Sequence, residues 1–453
     1  MKTIDLSEHF TCSKLLLYSL PTIGNALAIT SFQLIDGSFI ANMLGVTPFA
    51  AVNLVSPLFF MFYAIGFMFG SGTSALVSQY MGQDDLNRGQ RVFTMSMVTM
   101  MLVGLVLGTA ATVFLPGLLR MIGTSETMVP YCVEYGRRMF IFLPFHLINA
   151  AFLTLWITAG KSVLGFVISI VNGCGNALLD WLFMGPLHMG IGGAALASSI
   201  AATLTAIIIL CYFFHTRTSS LRFVRFTFQD IGELWQICYN GLSEMVDSAA
   251  GNFTGLVINR RLLLLFGEIG VAAMGVFGYV IDVFMTLFLG ISETAITVVG
   301  YKYGEKNRME IDNLLKKGLR LMLAAGVVAG LTCFVCSPII SELYLGKSDE
   351  ALQLAVQVLR ISAMGCLFYG IIIFCSSFFT GLGDGLSSML ISGMMSVACP
   401  IVLIYALPEL FGRDAIWFVT PVTTVISAVL CVALLKTRYI GLMNRMDSKM
   451  DKS

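Results

Sequence analysis

Residues 162–185 read SVLGFVISIVNGCGNALLDWLFMG, and a single charge, Asp180, stands in the whole stretch. Its apolar residues run on continuously instead of alternating, which predicts a helix and not a strand. At 1.5 Å per residue such a helix reaches about 36 Å, enough to cross the roughly 30 Å hydrocarbon core of a bilayer. Two amides and one carboxylate interrupt the run. Asn172, Asn176 and Asp180 recur every four residues and so fall on one helical face. A membrane span with a polar stripe ending in a carboxylate is the pattern that organises the rest of the chain.

Outward from this stretch, the sequence holds twelve long apolar segments: 15–42, 48–79, 92–116, 128–156, 162–185, 193–214, 231–259, 271–300, 318–338, 351–379, 386–407 and 414–436. Several are longer than a perpendicular crossing needs, so tilt or kinking is expected. Of the 453 residues, 57% are hydrophobic and only 12% charged, against roughly 25% charged in an ordinary soluble domain. That composition excludes a soluble enzyme and a disordered chain, and a net charge of +1 gives no electrostatic footprint for nucleic acid. Spans built of strands are excluded too, because transmembrane strands alternate. The predicted fold is an all-α polytopic membrane protein with twelve transmembrane helices.

Loop charges set the expected orientation. With both termini in the cytoplasm, the outer loops and outer helix ends hold Arg120, Arg137, Arg138, Arg260, Arg261, Lys347, Arg360 and Arg413, leaving 19 of the 27 Lys and Arg inside. The N-terminal MKTIDLSEHFTCSK is mixed in charge and lacks a small-residue cleavage pattern, so residues 1–14 read as a retained cytosolic segment. Residues 437–453 form a cytosolic tail.

The two halves share a register near an offset of 222. Ala50-Ala51 pairs with Ala272-Ala273, Gly82 with Gly304 and Pro186 with Pro408. With one extra residue, Gly123 pairs with Gly346 and Arg137 with Arg360. The pattern predicts two pseudo-symmetric six-helix bundles, 15–214 and 231–436, joined by a basic cytosolic linker at 215–230 (HTRTSSLRFVRFTFQD). A parallel duplication of this kind suits a carrier whose halves rock about a central site.

Ionisable residues inside a bilayer cost roughly 2.5–3.5 kcal/mol each on insertion scales, so each asks for a reason. Asp36 lies in span 1, and Asn25, eleven residues earlier, shares its face. Span 5 carries the Asn172, Asn176 and Asp180 stripe. Span 6 opens with GIGGAALASS, whose small residues allow close helix approach and whose Ser198 can face that stripe. Span 7 carries Glu244 and Asp247, and span 8 carries Asp282 and Glu293. Almost no basic partner accompanies these acids. A desolvated carboxylate disfavours its charged form, so it is poised to take a proton or, with amide and hydroxyl oxygens, a monovalent cation. Neutralising it changes which helix contacts are favourable, which makes a two-state switch.

Five prolines within spans, Pro21, Pro57, Pro144, Pro400 and Pro421, are expected to kink their helices. The eleven cysteines sit mostly in apolar runs as small hydrophobes, and Cys333-Phe-Val-Cys336 lacks a thioredoxin context. His146 is expected to pack. No nucleotide-binding glycine loop, zinc spacing or catalytic triad is present, so neither an enzyme nor a bound cofactor is expected beyond the coupling ion.

At these residues the sequence resembles the MATE (multidrug and toxic compound extrusion) family over residues 14 to 436. LIDGSFIANMLG (34–45) followed by PFAAVNLVSP (48–57) is similar to the family's Asp-bearing first span and its entry to span 2. GSGTSALVSQYMGQDD (70–85) resembles the close of span 2, GCGNALLDWLF (173–183) and GIGGAALASSIA (190–201) the signature of spans 5 and 6, and FLGISETAITVVGYKYGEKN (288–307) its echo in the second half. The resemblance implies two V-shaped six-helix bundles, action as a monomer, and cation-coupled efflux of amphipathic, often cationic, compounds through a prokaryotic plasma membrane. It is nearer to the DinF-like and MepA-like branch than to NorM-like members. By motif, the first-half H⁺ or Na⁺ site of that branch falls on Asp36, Asn176, Asp180 and Ser198, with Ser in place of the usual Thr. Span 7 departs from the family pattern, with Gly241 to Ser243 reading GLS where Gly-Leu-Pro is usual. The acids one and four residues past that proline in other branches match Glu244 and Asp247, which makes them candidates for a substrate or second cation site together with Asp282, Glu293, Asn25 and Asn172. A flippase of lipid-linked oligosaccharide from the same superfamily is the alternative, against which the acid-rich interior argues. An embedded enzyme would need clustered His, Arg or a nucleophile with its base.

Overall fold

A computed structural model describes residues 6–121, 124–216, 219–345 and 349–450. Among these residues there are helices and no strands. They are α1 (Cys12–Leu44), α2 (Val46–Gly82), α3 (Leu86–Met121), α4 (Val129–Ile141), α5 (Leu143–Thr158), α6 (Ser162–Met184), α7 (Gly190–His215), α8 (Gly232–Gly304), α9 (Arg308–Val335), α10 (Ser337–Leu345), α11 (Asp349–Leu382), α12 (Gly385–Gly393), α13 (Cys399–Phe411), α14 (Val419–Leu434) and α15 (Ile440–Met450). Long helices follow directly from composition, because in hydrocarbon every backbone N–H and C=O must be satisfied within its own segment.

Ten of the helical stretches are long and apolar enough to cross a membrane. The segment 128–156, expected as one span, is instead the pair α4 and α5, bent by 64°. The bend falls at Phe142, with Pro144 in the first turn of α5, where a missing N–H costs nothing. Spans 7 and 8 both lie in the 73-residue stretch α8, which is two helices parted at Gly267, whose φ of 65° and ψ of −157° lie outside the helical region. At about 110 Å along its path, α8 is long enough for both expected spans, and its break falls in the gap between them. Pro21 and Pro57 lie inside α1 and α2. Pro400 opens α13 directly after a π-helical turn at Met394–Ala398.

The chain divides into two compact units, one holding Leu20–Gly241 and the other Ser7–Ser19 with Leu242–Ser453. The first therefore runs past the expected linker into α8. The reason is steric. A Cβ on Gly72 of α2 would lie 2.0 Å from the Ile237 carbonyl oxygen, and one on Gly241 would lie 1.9 Å from that of Met68, so α2 and the start of α8 touch backbone to backbone. The aromatic core of this unit centres on Phe93, Phe152, Trp156 and Phe213, with ring centroids 5.2–6.3 Å apart for Phe93–Phe152, Phe93–Phe213, Phe152–Trp156 and Trp156–Phe213.

The expected linker is docked, not free. Arg222 donates to Gln90 Oε1 at 2.9 Å, Gln90 Nε2 to the Ser220 carbonyl at 3.0 Å, and the Val224 N–H to Thr94 Oγ1 at 3.0 Å. Glu233 accepts from Tyr80 at 2.8 Å and from Arg88 at 2.5 Å. Asp230 accepts from the Thr227 N–H at 2.8 Å and hydroxyl at 3.0 Å, and from Arg91 at 3.4 Å. Burial works against the Asp230 charge, but these donors outweigh it and hold its carboxyl below the ordinary carboxylate value.

In the second unit the lead-in to α1 is held in a similar way by the start of α9. Glu310 accepts from the Phe10 N–H at 2.8 Å and from His9 at 2.8 Å, and Lys317 donates to the Phe10 carbonyl at 2.8 Å. The expected tail begins as helix, with Asp447 of α15 bound by Arg308. Lys347, Gly123 and Gly346, used above for orientation and repeat, lie outside the described residues, as do Lys2, Arg217 and Lys452 among the basic residues counted inside.

Candidate functional site

A cavity of about 660 Å³ lies within the first unit and is lined by four of the five first-half polar positions on α1 and α6, Asn25, Asp36, Asn172 and Asn176, together with Gly173 and with Ser198 of α7, while Asp180 is not among its lining residues. Gly173 explains how α1 meets α6. A Cβ there would sit 1.8 Å from the ring of Phe32, so that ring, one turn before Asp36, occupies the space the missing side chain leaves. The small residues that open α7 act likewise. A Cβ on Gly192 would fall 1.6 Å from Arg138 Nη1 of α4.

The carboxyl groups of Asp36 and Asp180 come within hydrogen-bonding reach of each other. Asp180 is fully buried. Asp36 Oδ1 and both Asp180 oxygens accept no hydrogen bond from a described donor, and among the described residues no basic group forms an ion pair with either. Two like charges side by side in buried surroundings repel, and one shared proton or one cation relieves the pair. Asn176 Nδ2 donates to Ser198 Oγ at 3.2 Å, which leaves its carbonyl oxygen available as a ligand. Asn172 accepts from Thr205 at 3.0 Å. Asn25 is buried and its Oδ1 takes no described donor. The donor set is entirely oxygen, which suits a proton or a hard monovalent cation rather than a soft metal. Among the described residues no cluster of three or more His, Cys, Asp or Glu could hold a metal ion.

Tyr135 of α4 escaped the reading of the sequence. It is buried, lines the same cavity and lies close enough to Asp36 and Asp180 to feel both charges. It stands on a different helix from either carboxylate, and spacing within one helix says nothing of contacts between helices. His146 packs edge-on against Phe59, centroids 5.0 Å apart, as expected, while its Nε2 takes no described partner on the cavity wall.

The second-half acids lie in the other unit. Glu244 lies near Glu293 and Asp247, and Asp247 accepts from Ser396, which projects from the π-helical turn. Asp282 and Glu293 do not share one environment. Glu293 is buried and Asp282 exposed, because eleven residues also separate them by three turns, about 16 Å, along the helix. Cys333 of the CxxC approaches Cys366 of α11, Sγ to Sγ 3.9 Å, and no described cysteine is in a disulfide.

This architecture is that of a polytopic helical membrane transporter. The MatE family model matches residues 21–182 and again 245–406, and the chain belongs to the MatE family. Among its relatives is the multidrug export protein MepA of Staphylococcus haemolyticus, 22% identical over 436 residues, 95% of this chain and 93% of that one. Another is the probable multidrug resistance protein YoeA of Bacillus subtilis, 26% identical over 364 residues, 78% of each. A solved MOP-superfamily transporter from Pyrococcus furiosus superposes with a TM-score of 0.88 at 18% identity, over 98% of this chain and 99% of that one. An outward-facing MATE-family multidrug resistance transporter does so with a TM-score of 0.88 at 19% identity, over the same shares.

Proposed function

We propose that this chain exports amphipathic organic compounds, cations among them, across the bacterial cell membrane in exchange for an entering H⁺ or Na⁺. The observation that carries the proposal is the pair of Asp36, on the wall of the first-unit cavity, and Asp180, buried within reach of it, without a basic partner among the described residues, with the bonded Asn176 and Ser198 on the same wall. The printed activities of MepA and YoeA support the substrate class. The two equal stretches matched by the family model support duplicated halves.

Binding of one ion takes one negative charge off the pair and relieves the repulsion between α1 and α6, so the contacts favoured with and without the ion differ. Pro21 and Gly24 give α1 a place to bend in response. Release of solute accompanies that movement. Each charge moved across 100 mV supplies about 2.3 kcal/mol, and each tenfold gradient about 1.4 kcal/mol, which suffices without ATP. Glu244 and Asp247 supply negative charge for cationic solutes in the second unit. Both termini lie in the cytoplasm, and the monomer is the working unit. The test is dye efflux from vesicles reconstituted with the purified protein, with pH and sodium gradients imposed separately. One of the two gradients is expected to drive efflux. Equal flux with neither gradient would overturn the proposal.

A further inference from the structure

A second cavity, about 540 Å³, is a groove on the flank of the second unit between α9 and α11. Leu331 and Phe334 form one wall, and Arg360, Met364 and Leu367 the other. Its floor is narrow because α9 and α11 are in near backbone contact, with a Cβ on Gly330 falling 3.0 Å from the Ala363 carbonyl oxygen. Leu331, Phe334 and Met364 are each about half exposed. From Arg360 to Leu367 the groove descends about 10 Å along α11.

Its one charged wall residue, Arg360, stands eleven residues into α11, level with the end of α9. The guanidinium lies 5.6 Å from the centre of the Phe334 ring, and its Nε donates to Ser337 at 3.2 Å. Among the described residues no carboxylate lies within ion-pair distance of it. The terminal nitrogens, which carry four of the five guanidinium donors, take no described partner. A cation set in an apolar flank, oriented by a ring and a hydroxyl and lacking a counter-charge, demands an anion from outside the chain. The groove below it demands an apolar chain. An anionic phospholipid carries both in one molecule, and the fork of an arginine matches a phosphate in shape as well as charge.

We propose that the α9–α11 groove is a binding site for an anionic phospholipid, with its phosphate on Arg360 and an acyl chain against Leu331, Met364 and Leu367. With both termini in the cytoplasm, this lipid belongs to the outer leaflet. The site is independent of the transport cavity, so its occupancy stabilises the second unit whatever the coupling ion is.

The test uses the full-length protein in neutral detergent, titrated with phosphatidylglycerol or with phosphatidylcholine of the same chains. Bound lipid is counted by native mass spectrometry and protection read as Tm. Phosphatidylglycerol is expected to bind more tightly and raise Tm further. Arg360→Gln lowers its affinity about fivefold and leaves phosphatidylcholine unchanged. Arg360→Lys, which keeps the charge and loses the fork, retains part of the preference. Met364→Trp fills the groove and weakens both lipids. A phosphatidylglycerol preference that survives Arg360→Gln would overturn the proposal. So would equal protection by the chain-free headgroup glycerophosphoglycerol, which would mark a simple anion site, or a Met364→Trp variant that binds both lipids as the wild type does.

Discussion

Asn176 donates from Nδ2 to Ser198 Oγ at 3.2 Å, joining α6 to α7 beside the Asp36–Asp180 pair. The bond fixes which way the amide faces and leaves its carbonyl oxygen for the coupling ion. A neutral hydrogen bond of this kind contributes about 1 kcal/mol, so Ser198→Ala is expected to raise the half-saturating concentration of the coupling ion roughly fivefold. Ser198→Thr restores it. Ion-dependent efflux measured over a concentration series checks this, and an unshifted Ser198→Ala curve would remove Ser198 from the site.

Gly173 sets the approach of α1 to α6. Gly173→Leu forces the Phe32 ring out of a space in which even a Cβ would collide at 1.8 Å. Overpacking of this sort costs about 1–3 kcal/mol, and here it also displaces Asp36 from Asp180. The expected outcome is a lower Tm together with lost coupling. Adding Phe32→Ala relieves the collision and recovers part of both. Recovery of neither would mean that Gly173 acts by some other route.

Most of this architecture was legible in the residues themselves, because hydrocarbon imposes one demand on the backbone and continuous apolar runs answer it. The stripe Asn172, Asn176, Asp180 was legible for the same reason, since a four-residue spacing on a helix is a direct statement about a face. Three features were not. The bend at Phe142 turns on where the helix restarts ahead of Pro144, a choice that composition leaves open. Tyr135 of α4 meets the carboxylates of α1 and α6 by packing between helices, which spacing within one helix does not report. The Ser396 bond to Asp247 comes from a π-helical turn, which shifts every later residue out of the regular period.

Asp230 makes the docked linker sensitive to acid. Its carboxyl is held below the ordinary value of 3.8 in the folded chain. A depressed folded value means a contribution fully present above the unfolded value and lost as pH falls through the folded one. Asp230→Asn is therefore expected to lower Tm by roughly 2 °C near neutral pH and to converge on the wild type as pH is brought below the ordinary carboxylate value. A gap between the two proteins that stays constant through acid would contradict the assignment.

Glu244 and Asp247 are expected to select for charge in the solute. Neutralising both as Gln and Asn lowers transport of a cationic dye by about tenfold or more and leaves a neutral amphiphile of similar size within about twofold, by analogy with the several kcal/mol at stake when buried opposite charges lose a partner. Parallel efflux assays with the two compounds decide it. An equal loss for both would give these acids a structural role instead.

The central claim is that the Asp36–Asp180 pair couples ion entry to solute exit. The most direct measurement is gradient-driven efflux from vesicles containing Asp36→Asn, compared with wild type at matched protein content and with solute binding measured alongside. The account predicts that the variant still binds solute but no longer responds to either a pH or a sodium gradient. Wild-type efflux by Asp36→Asn under the same gradients would contradict it.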